Sequence, residues 1–204
     1  MKRLFLLAMA LVAMAGANFA SSFAVNAGGT YLELAAEDTC SWFAASGQCT
    51  GPAFFDPTVI AVTPGSTIQL FALGSINYGT MTAAPLFGAL FSTDGNLGAS
   101  TSLNRVTGAV AAGSPNPYVV TTTNSYFAGN NDISQDFQVG TSVVTVVVPN
   151  NANFLFVGVL DSFYADNSGN ASITLNELAT PEPATYALAL AGLAALLFVR
   201  KLRA

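Results

Sequence analysis

The chain has 204 residues, with six basic side chains, eleven acidic ones and no histidine, and its formal net charge is −5. Five of the basic residues lie near the termini, so residues 25–179 carry one arginine against ten carboxylates, a charge of −9. This charge repels phosphate backbones, which excludes nucleic acid as a partner. Without histidine, and with no lysine in residues 25–179, the common catalytic triads, zinc sites and Schiff bases are excluded, and we predict a non-enzymatic protein.

Residues 1–24 are predicted to form a helical signal peptide. Two basic residues precede an apolar run over residues 4–14, and small residues follow it, which is the layout of a secretory leader. Small residues at positions −3 and −1 allow cleavage at three places, and the sequence leaves all three open: after Ala17, Ala24 or Ala27. The protein is therefore predicted to be exported.

Cys40 and Cys49 are the two cysteines of the chain. In the oxidising compartment reached by export, a pair that encloses eight residues is predicted to form a disulfide. A redox-active or metal-binding pair is the alternative, but the spacing is not Cys-x-x-Cys. Trp42 is predicted to pack over the bridge.

A pair of carboxylates is the enzymatic route that this composition leaves open, as in glycoside hydrolysis. Glu33 with Glu37 or Asp38 would supply it. The alternating run of residues 31–34 favours a simpler interpretation, in which Glu33 lies on the solvent face of an edge strand.

Residues 25–179 are predicted to form one all-β domain, a β-sandwich. Short segments rich in β-branched or aromatic residues, bounded by Gly, Pro, Asn or Asp, predict strands at 59–62, 67–71, 87–91, 142–148, 154–159 and 171–175. Tight turns are predicted at residues 64–65 and 149–151. Residues 108–131, poor in charge and rich in Gly, Ser, Asn and Thr, are predicted to form a long surface excursion.

Two stretches carry a resemblance to a known family. Residues 63–70 (TPGSTIQL), 77–79 (NYG) and 87–90 (FGAL), followed by 148–151 (VPNN), Asp161 and 166–169 (DNSG), are similar to the calcium-dependent galactophilic lectins of the PA-IL type. The resemblance covers about half of the body and implies a small jelly-roll β-sandwich.

The resemblance also implies a calcium site. The ligands would be the carbonyls of Tyr78 and Phe163 and the side chains of Asp161, Asp166 and Asn167, all oxygen donors of the kind that Ca²⁺ prefers. The loop after Asp161 is shorter here than in the lectins. The alternative is an ordinary hairpin loop between residues 154–159 and 171–175, since Asp, Asn, Ser and Gly are common in such loops.

Sugar binding is a further implication, but the lectins' histidine contact has no counterpart here, so galactose specificity does not carry over. Tyr126, Phe127 or Tyr164 would stack on a sugar face if exposed. Packing in the core is the alternative for these aromatic residues.

Residues 180–204 form the predicted sorting signal. Pro181, Glu182 and Pro183 precede an apolar helix predicted to span the membrane at residues 184–199, and Arg200, Lys201 and Arg203 follow, which places the basic end in the cytoplasm. The order of these parts resembles the PEP-CTERM signal of Gram-negative bacteria, whose partner is an exosortase. About 25 Å of helix suits a transient inner-membrane anchor.

Together these features predict an exported protein that an exosortase delivers to the cell surface or the extracellular polysaccharide matrix, associated with calcium and carbohydrate. A purely structural surface or biofilm-matrix protein and a secreted glycoside hydrolase are the alternatives.

Overall fold

The computed structural model describes residues 19–32, 55–102, 105–113, 133–161, 163–178, 190–193, 195 and 199–200. The chain divides into two units, one of Ala20–Glu177 and one of Met1–Phe19 with Leu178–Ala204. The first unit holds the β body and begins at Ala20, ahead of the predicted start at residue 25.

Ten strands lie in the described residues: β1 (Phe19–Val25), β2 (Thr58–Ala61), β3 (Thr67–Tyr78), β4 (Met81–Ala83), β5 (Phe87–Ser92), β6 (Ala109–Val110), β7 (Phe137–Val139), β8 (Val144–Val147), β9 (Phe154–Val159) and β10 (Asn167–Leu178). The prediction of an all-β body is confirmed. All six predicted strands are present, and β3 and β10 extend well beyond their predicted ends.

The strands form two five-stranded sheets. The first sheet has the order β1-β10-β3-β4, with β8 also paired to β3, and the second has the order β2-β9-β5-β6, with β7 also paired to β5. Strand β3 pairs with β8 through residues 67–70 and with β4 through residues 76–78, both antiparallel. Strand β5 likewise pairs with β7 through residues 87–89 and with β6 through residues 91–92, both antiparallel.

One core lies between the two sheets. Alternate residues of β3 point into it, as the period-two pattern of a strand requires. The first sheet contributes Ile68, Leu70 and Ile173, and the second contributes Phe91, Leu155 and Val157. Phe91 and Phe137 hold their ring centroids 5.6 Å apart. Each such side chain stabilises the fold by roughly 1.5–3 kcal/mol when fully buried.

A second cluster covers the outer face of the second sheet. It consists of Tyr31, Leu32, Leu90, Val106, Ile133 and Phe156. Strand β5 is consequently buried on both faces. The edge strand predicted over residues 31–34 is wrong in its described half, because Tyr31 and Leu32 are both buried and lie in a bend. These two consecutive apolar residues pack over the outer face of the second sheet and do not form an alternating strand.

Most connections pass from one sheet to the other. The turns predicted at 64–65 and 149–151 are confirmed: Ser66 N–H donates to the Thr63 carbonyl at 3.2 Å, and Ala152 N–H donates to the Pro149 carbonyl at 3.0 Å. Each joins strands of different sheets. The hairpin interpretation of the segment between β9 and β10 is therefore wrong, since β9 belongs to the second sheet and β10 to the first.

The predicted surface excursion at residues 108–131 is wrong at its start. Ala109 and Val110 form β6 against β5, and Gly113 exchanges two backbone hydrogen bonds with Val147 at 3.0 and 3.2 Å. Residues 114–132 lie outside the described part of the chain.

In the other unit, residues 190–193, 195 and 199–200 are helical. Leu190, Leu193 and Val199 are exposed on this helical segment. No helix among the described residues combines the length and the apolar character that are needed to cross a membrane. All other residues of the predicted 184–199 helix lie outside the described part of the chain.

Candidate functional site

The residues predicted to bind calcium lie at or near the ends of three strands. Tyr78 is the last residue of β3, Asp161 follows β9 by two residues, and Asn167 begins β10 directly after Asp166. Strands β3 and β10 are neighbours in the first sheet, while β9 belongs to the second. The segment between β9 and β10 thus joins the two sheets and carries three of the predicted ligands.

Asp166 lies against the turn that joins β3 to β4. Gly79 occupies the left-handed region with φ 63°, and its N–H donates to the Asp166 carbonyl at 3.3 Å. A Cβ at Gly79 would overlap the Asp166 carboxylate. Glycine is therefore required here twice, for its backbone conformation and for the close approach of a charged group.

The ionisation of Asp166 and Tyr78 reflects this crowding. Burial raises the pKa of the Asp166 carboxyl above its usual 3.8, against a hydrogen bond from its own backbone that lowers it. Burial also raises the pKa of the Tyr78 hydroxyl. A hydrogen bond from the Leu86 backbone lowers this pKa, and the negative charge of Asp161 raises it further. The negative charge of Asp161 therefore influences the ionisation of Tyr78, and the Asp166 carboxylate lies against the adjacent Gly79.

Asn167 supplies a buried oxygen. Its Nδ2 donates to the Ala27 carbonyl at 3.1 Å, which fixes the amide, while its Oδ1 is buried and accepts no hydrogen bond from the described residues. A buried acceptor without a partner costs about 1–3 kcal/mol. This oxygen is suited to a cation, because a metal ion would supply the missing partner.

The structure places the two aromatic residues of this segment in the interior. Phe163 is buried, and Tyr164 is 1% exposed with its hydroxyl donating to the Val159 carbonyl at 3.0 Å. Tyr164 packs in the main core. The suggestion that Tyr164 stacks on a sugar is therefore wrong, and the packing alternative holds for this residue.

Two contacts of the site have no signal in the sequence. The Ala27 carbonyl reaches Asn167 across 140 residues of chain, and Gly79 accommodates Asp166. Ala27 falls among the small residues of the predicted leader and its cleavage region, which hid its place in the body. Gly79 lies inside the motif 77–79, but its steric role follows from the approach of Asp166.

Arg105, the single basic residue of the body, is buried away from solvent. Its Nη1 donates to the Thr30 carbonyl at 2.6 Å and its Nη2 to Asp56 Oδ1 at 2.8 Å. The Asp56 side chain is 80% exposed. An ion pair with one solvated partner is weakened by screening, so the bond to the buried Thr30 carbonyl is the more important of the two.

Several predicted residues fall outside the described part of the chain. They are Cys40, Cys49, Trp42, Glu33, Glu37, Asp38, Tyr126, Phe127, Pro181, Glu182, Pro183, Lys201 and Arg203. Arg200 is described as an exposed helical residue. The disulfide, the carboxylate pair and the sorting triplet thus remain predictions.

Within the described residues, no three His, Cys, Asp or Glu side chains gather in a metal-binding group. The residues predicted to bind calcium comprise two carboxylates, one amide oxygen and two backbone carbonyls. Ca²⁺ takes about 6–8 oxygen ligands, so a complete shell would need carbonyls and water as well. Comparison with protein-family models, curated proteins and solved structures finds no match for the chain.

Proposed function

We propose that this chain is a non-enzymatic exported protein of the cell surface or extracellular polysaccharide matrix. Calcium stabilises the junction of the two sheets, which is the segment of residues 160–166 between β9 and β10. The observation that carries the calcium part is the buried Oδ1 of Asn167, which accepts no hydrogen bond from the described residues. The partly buried Asp166 carboxylate precedes it directly in the chain. Bound at Asp161, Asp166 and Asn167, the ion would neutralise two carboxylates and tie β9 to β10. The chain passes repeatedly from one sheet to the other, which supports the jelly-roll arrangement that the lectin resemblance implies.

Calcium should raise the melting temperature of the full-length protein. A ligand specific for the folded state stabilises it by about 2.7 kcal/mol at a hundredfold excess over its dissociation constant. Magnesium should do much less, because it demands a tighter octahedral shell than this open set of oxygens offers. Calorimetry and thermal melts in chelator, Mg²⁺ and Ca²⁺ measure these differences.

Asp161→Asn should abolish the calcium response. Asp94→Asn is a matched control, since Asp94 Oδ1 accepts a hydrogen bond from Asn96 N–H in a separate loop and an asparagine preserves that acceptor. Asn167→Ala tests the unpartnered oxygen directly. No calcium binding by the wild type, or an equal response in Asp161→Asn and Asp94→Asn, would contradict the site.

The burial of Tyr164 favours a structural role for calcium over direct sugar binding, because it removes one candidate stacking surface. Binding to a glycan array with and without chelator separates the two roles. Chelator-sensitive binding would support the carbohydrate-associated alternative. Hydrolysis of a polysaccharide substrate would instead revive the glycoside hydrolase.

The sorting part of the proposal rests on the order of triplet, apolar run and basic end. The exposure of Leu190, Leu193 and Val199 on a helical segment supports it, since a membrane would cover these side chains. In a host with an exosortase, released protein should lack the tail after the triplet. Replacing residues 181–183 by alanines should retain the protein in the inner membrane. A released protein whose intact mass includes the tail would contradict sorting.

A further inference from the structure

Strand β1 occupies sequence that was predicted to belong to the signal peptide. It runs from Phe19 to Val25 and forms the edge of the first sheet, hydrogen-bonded to β10. Val25 and, just beyond the strand, Ala27 belong to the main core with 4% and 6% exposure. A removable leader cannot also supply core residues of the mature protein.

The end of β1 and the segment that follows it are hydrogen-bonded to distant parts of the body. The Ala24 carbonyl accepts a bond from Thr58 Oγ1 at 3.0 Å, and the Ala27 carbonyl accepts from Asn167 Nδ2 at 3.1 Å. The Gly29 carbonyl accepts from Val159 N–H at 2.8 Å. These bonds connect the segment to both sheets.

The three possible cleavage sites differ in what they remove. Cleavage after Ala27 deletes β1, Val25 and the carbonyl that holds Asn167. Cleavage after Ala24 leaves one residue of β1 and exposes the edge of β10, which is a template for aggregation. Cleavage after Ala17 leaves Asn18 as the first residue and keeps the whole strand.

We propose that the signal peptide is cleaved between Ala17 and Asn18, at the small-residue triplet 15–17. The inference rests on the export part of the proposed function and is independent of calcium. Asn18 immediately precedes β1, so the mature chain would enter the first sheet almost from its first residue. Export and folding then use adjacent, non-overlapping segments.

N-terminal sequencing of the exported protein tests the site directly, and Asn18 should be the first residue. Ala17→Leu should block or displace processing, because cleavage requires a small residue at position −1. Ala24→Leu is the matched control, since Ala24 is exposed and its replacement should leave the Asn18 terminus unchanged. A terminus at Val25, at Gly28 or at an uncleaved Met1 would overturn the site but leave export standing, whereas a chain that keeps Met1 and stays in the cytoplasm would overturn both.

A second experiment separates the need for β1 from the native leader. Chains running to Ala204 but starting at Asn18, Val25 or Gly28 are exported behind an unrelated leader, and their protease resistance is compared. The Asn18 chain should resist digestion, and the two shorter chains should be degraded or accumulate as aggregates. Equal resistance of the Asn18 and Val25 chains would overturn the inference.

Discussion

The two sheets share one core but differ in what covers their outer faces. The second sheet is buried on both faces at β5 and along most of β9, because Tyr31, Leu32, Val106 and Ile133 pack over Leu90 and Phe156. The first sheet leaves large side chains in solvent, including Leu73 at 49% and Met81 at 61% exposure. Among the described residues, the outer cluster therefore covers the centre of the second sheet, while Leu73 and Met81 of the first sheet stay exposed. The same substitution should therefore have very different effects in the two sheets.

Leu90→Ala and Leu73→Ala test this difference most strongly. Leu90 is fully buried on the covered face of β5, so its truncation should cost about 2–5 kcal/mol of unfolding free energy. Leu73 is half exposed on β3, and its truncation should change stability by about 0.5 kcal/mol or less. Chemical denaturation measures both, and equal losses would show that the outer cluster is not a real core.

Arg105→Met tests how the cover of the second sheet is held. The variant keeps the apolar stem but leaves the Thr30 carbonyl without its 2.6 Å donor, next to Tyr31 in the outer cluster. A loss of about 1–3 kcal/mol is expected. Asp56→Asn, which alters the exposed partner, should cost below about 1 kcal/mol. A larger loss in Asp56→Asn than in Arg105→Met would contradict this order.

Gly74→Ala tests the first sheet at a point where β3 and β10 approach so closely that a side chain on β3 does not fit. Gly74 has φ 91°, and a Cβ there would overlap the Asn170 carbonyl of β10. The strain should cost about 1–3 kcal/mol. Gly140→Ala is the control, since its Cβ would meet Leu86 at an ordinary 3.6 Å. Similar melting temperatures for the two variants would argue against close pairing of β3 with β10 at this point.

Asp166→Asn tests the junction of the sheets through pH, with the smallest expected effect. Because its pKa is raised by burial, the folded state holds the Asp166 proton more tightly than the unfolded state. In chelator, the unfolding free energy should therefore fall as the pH rises from the ordinary 3.8 through the raised pKa. The variant should lose this part of the slope. Parallel stability profiles for wild type and variant between pH 3 and 7 would contradict it.

The difference in cover also explains which strands the sequence predicted well. Strand β9 was predicted with its observed ends and β5 to within one residue, because strands buried on both faces are continuous apolar runs. The prediction ended β3 at residue 71, whereas the strand continues through Gly74 and Ser75 to Tyr78. Glycines at 74 and 169 allow β3 and β10 to approach there, and local propensity contains no such information.

Part of the candidate site was also predictable, because several of its residues lie in motifs that can be recognised in the sequence. The resemblance to the lectins brought residues 77–79, Asp161 and 166–169 into one expectation, and the structure places Asp166 against Gly79 and the charge of Asp161 near Tyr78. The anchor of Asn167 on Ala27 was missed, because the motif-like leader masked β1 and the segment after it. Ionisation and the unpartnered oxygen depend on burial, which follows from tertiary packing.

The pairing of β1 with β10 also sets the order in which the chain can fold. Within the described residues the first strand, β1, pairs with the last, β10, and the hydrogen bond between Asn167 and the Ala27 carbonyl spans 140 residues. During synthesis the first sheet cannot close until nearly the whole body has emerged, and such distant contacts slow folding. Until then β1 is an unpaired strand that a chaperone or another nascent chain can capture. Pairing with β10 is therefore the folding step after which the edge of β1 that faces β10 is no longer open to other chains.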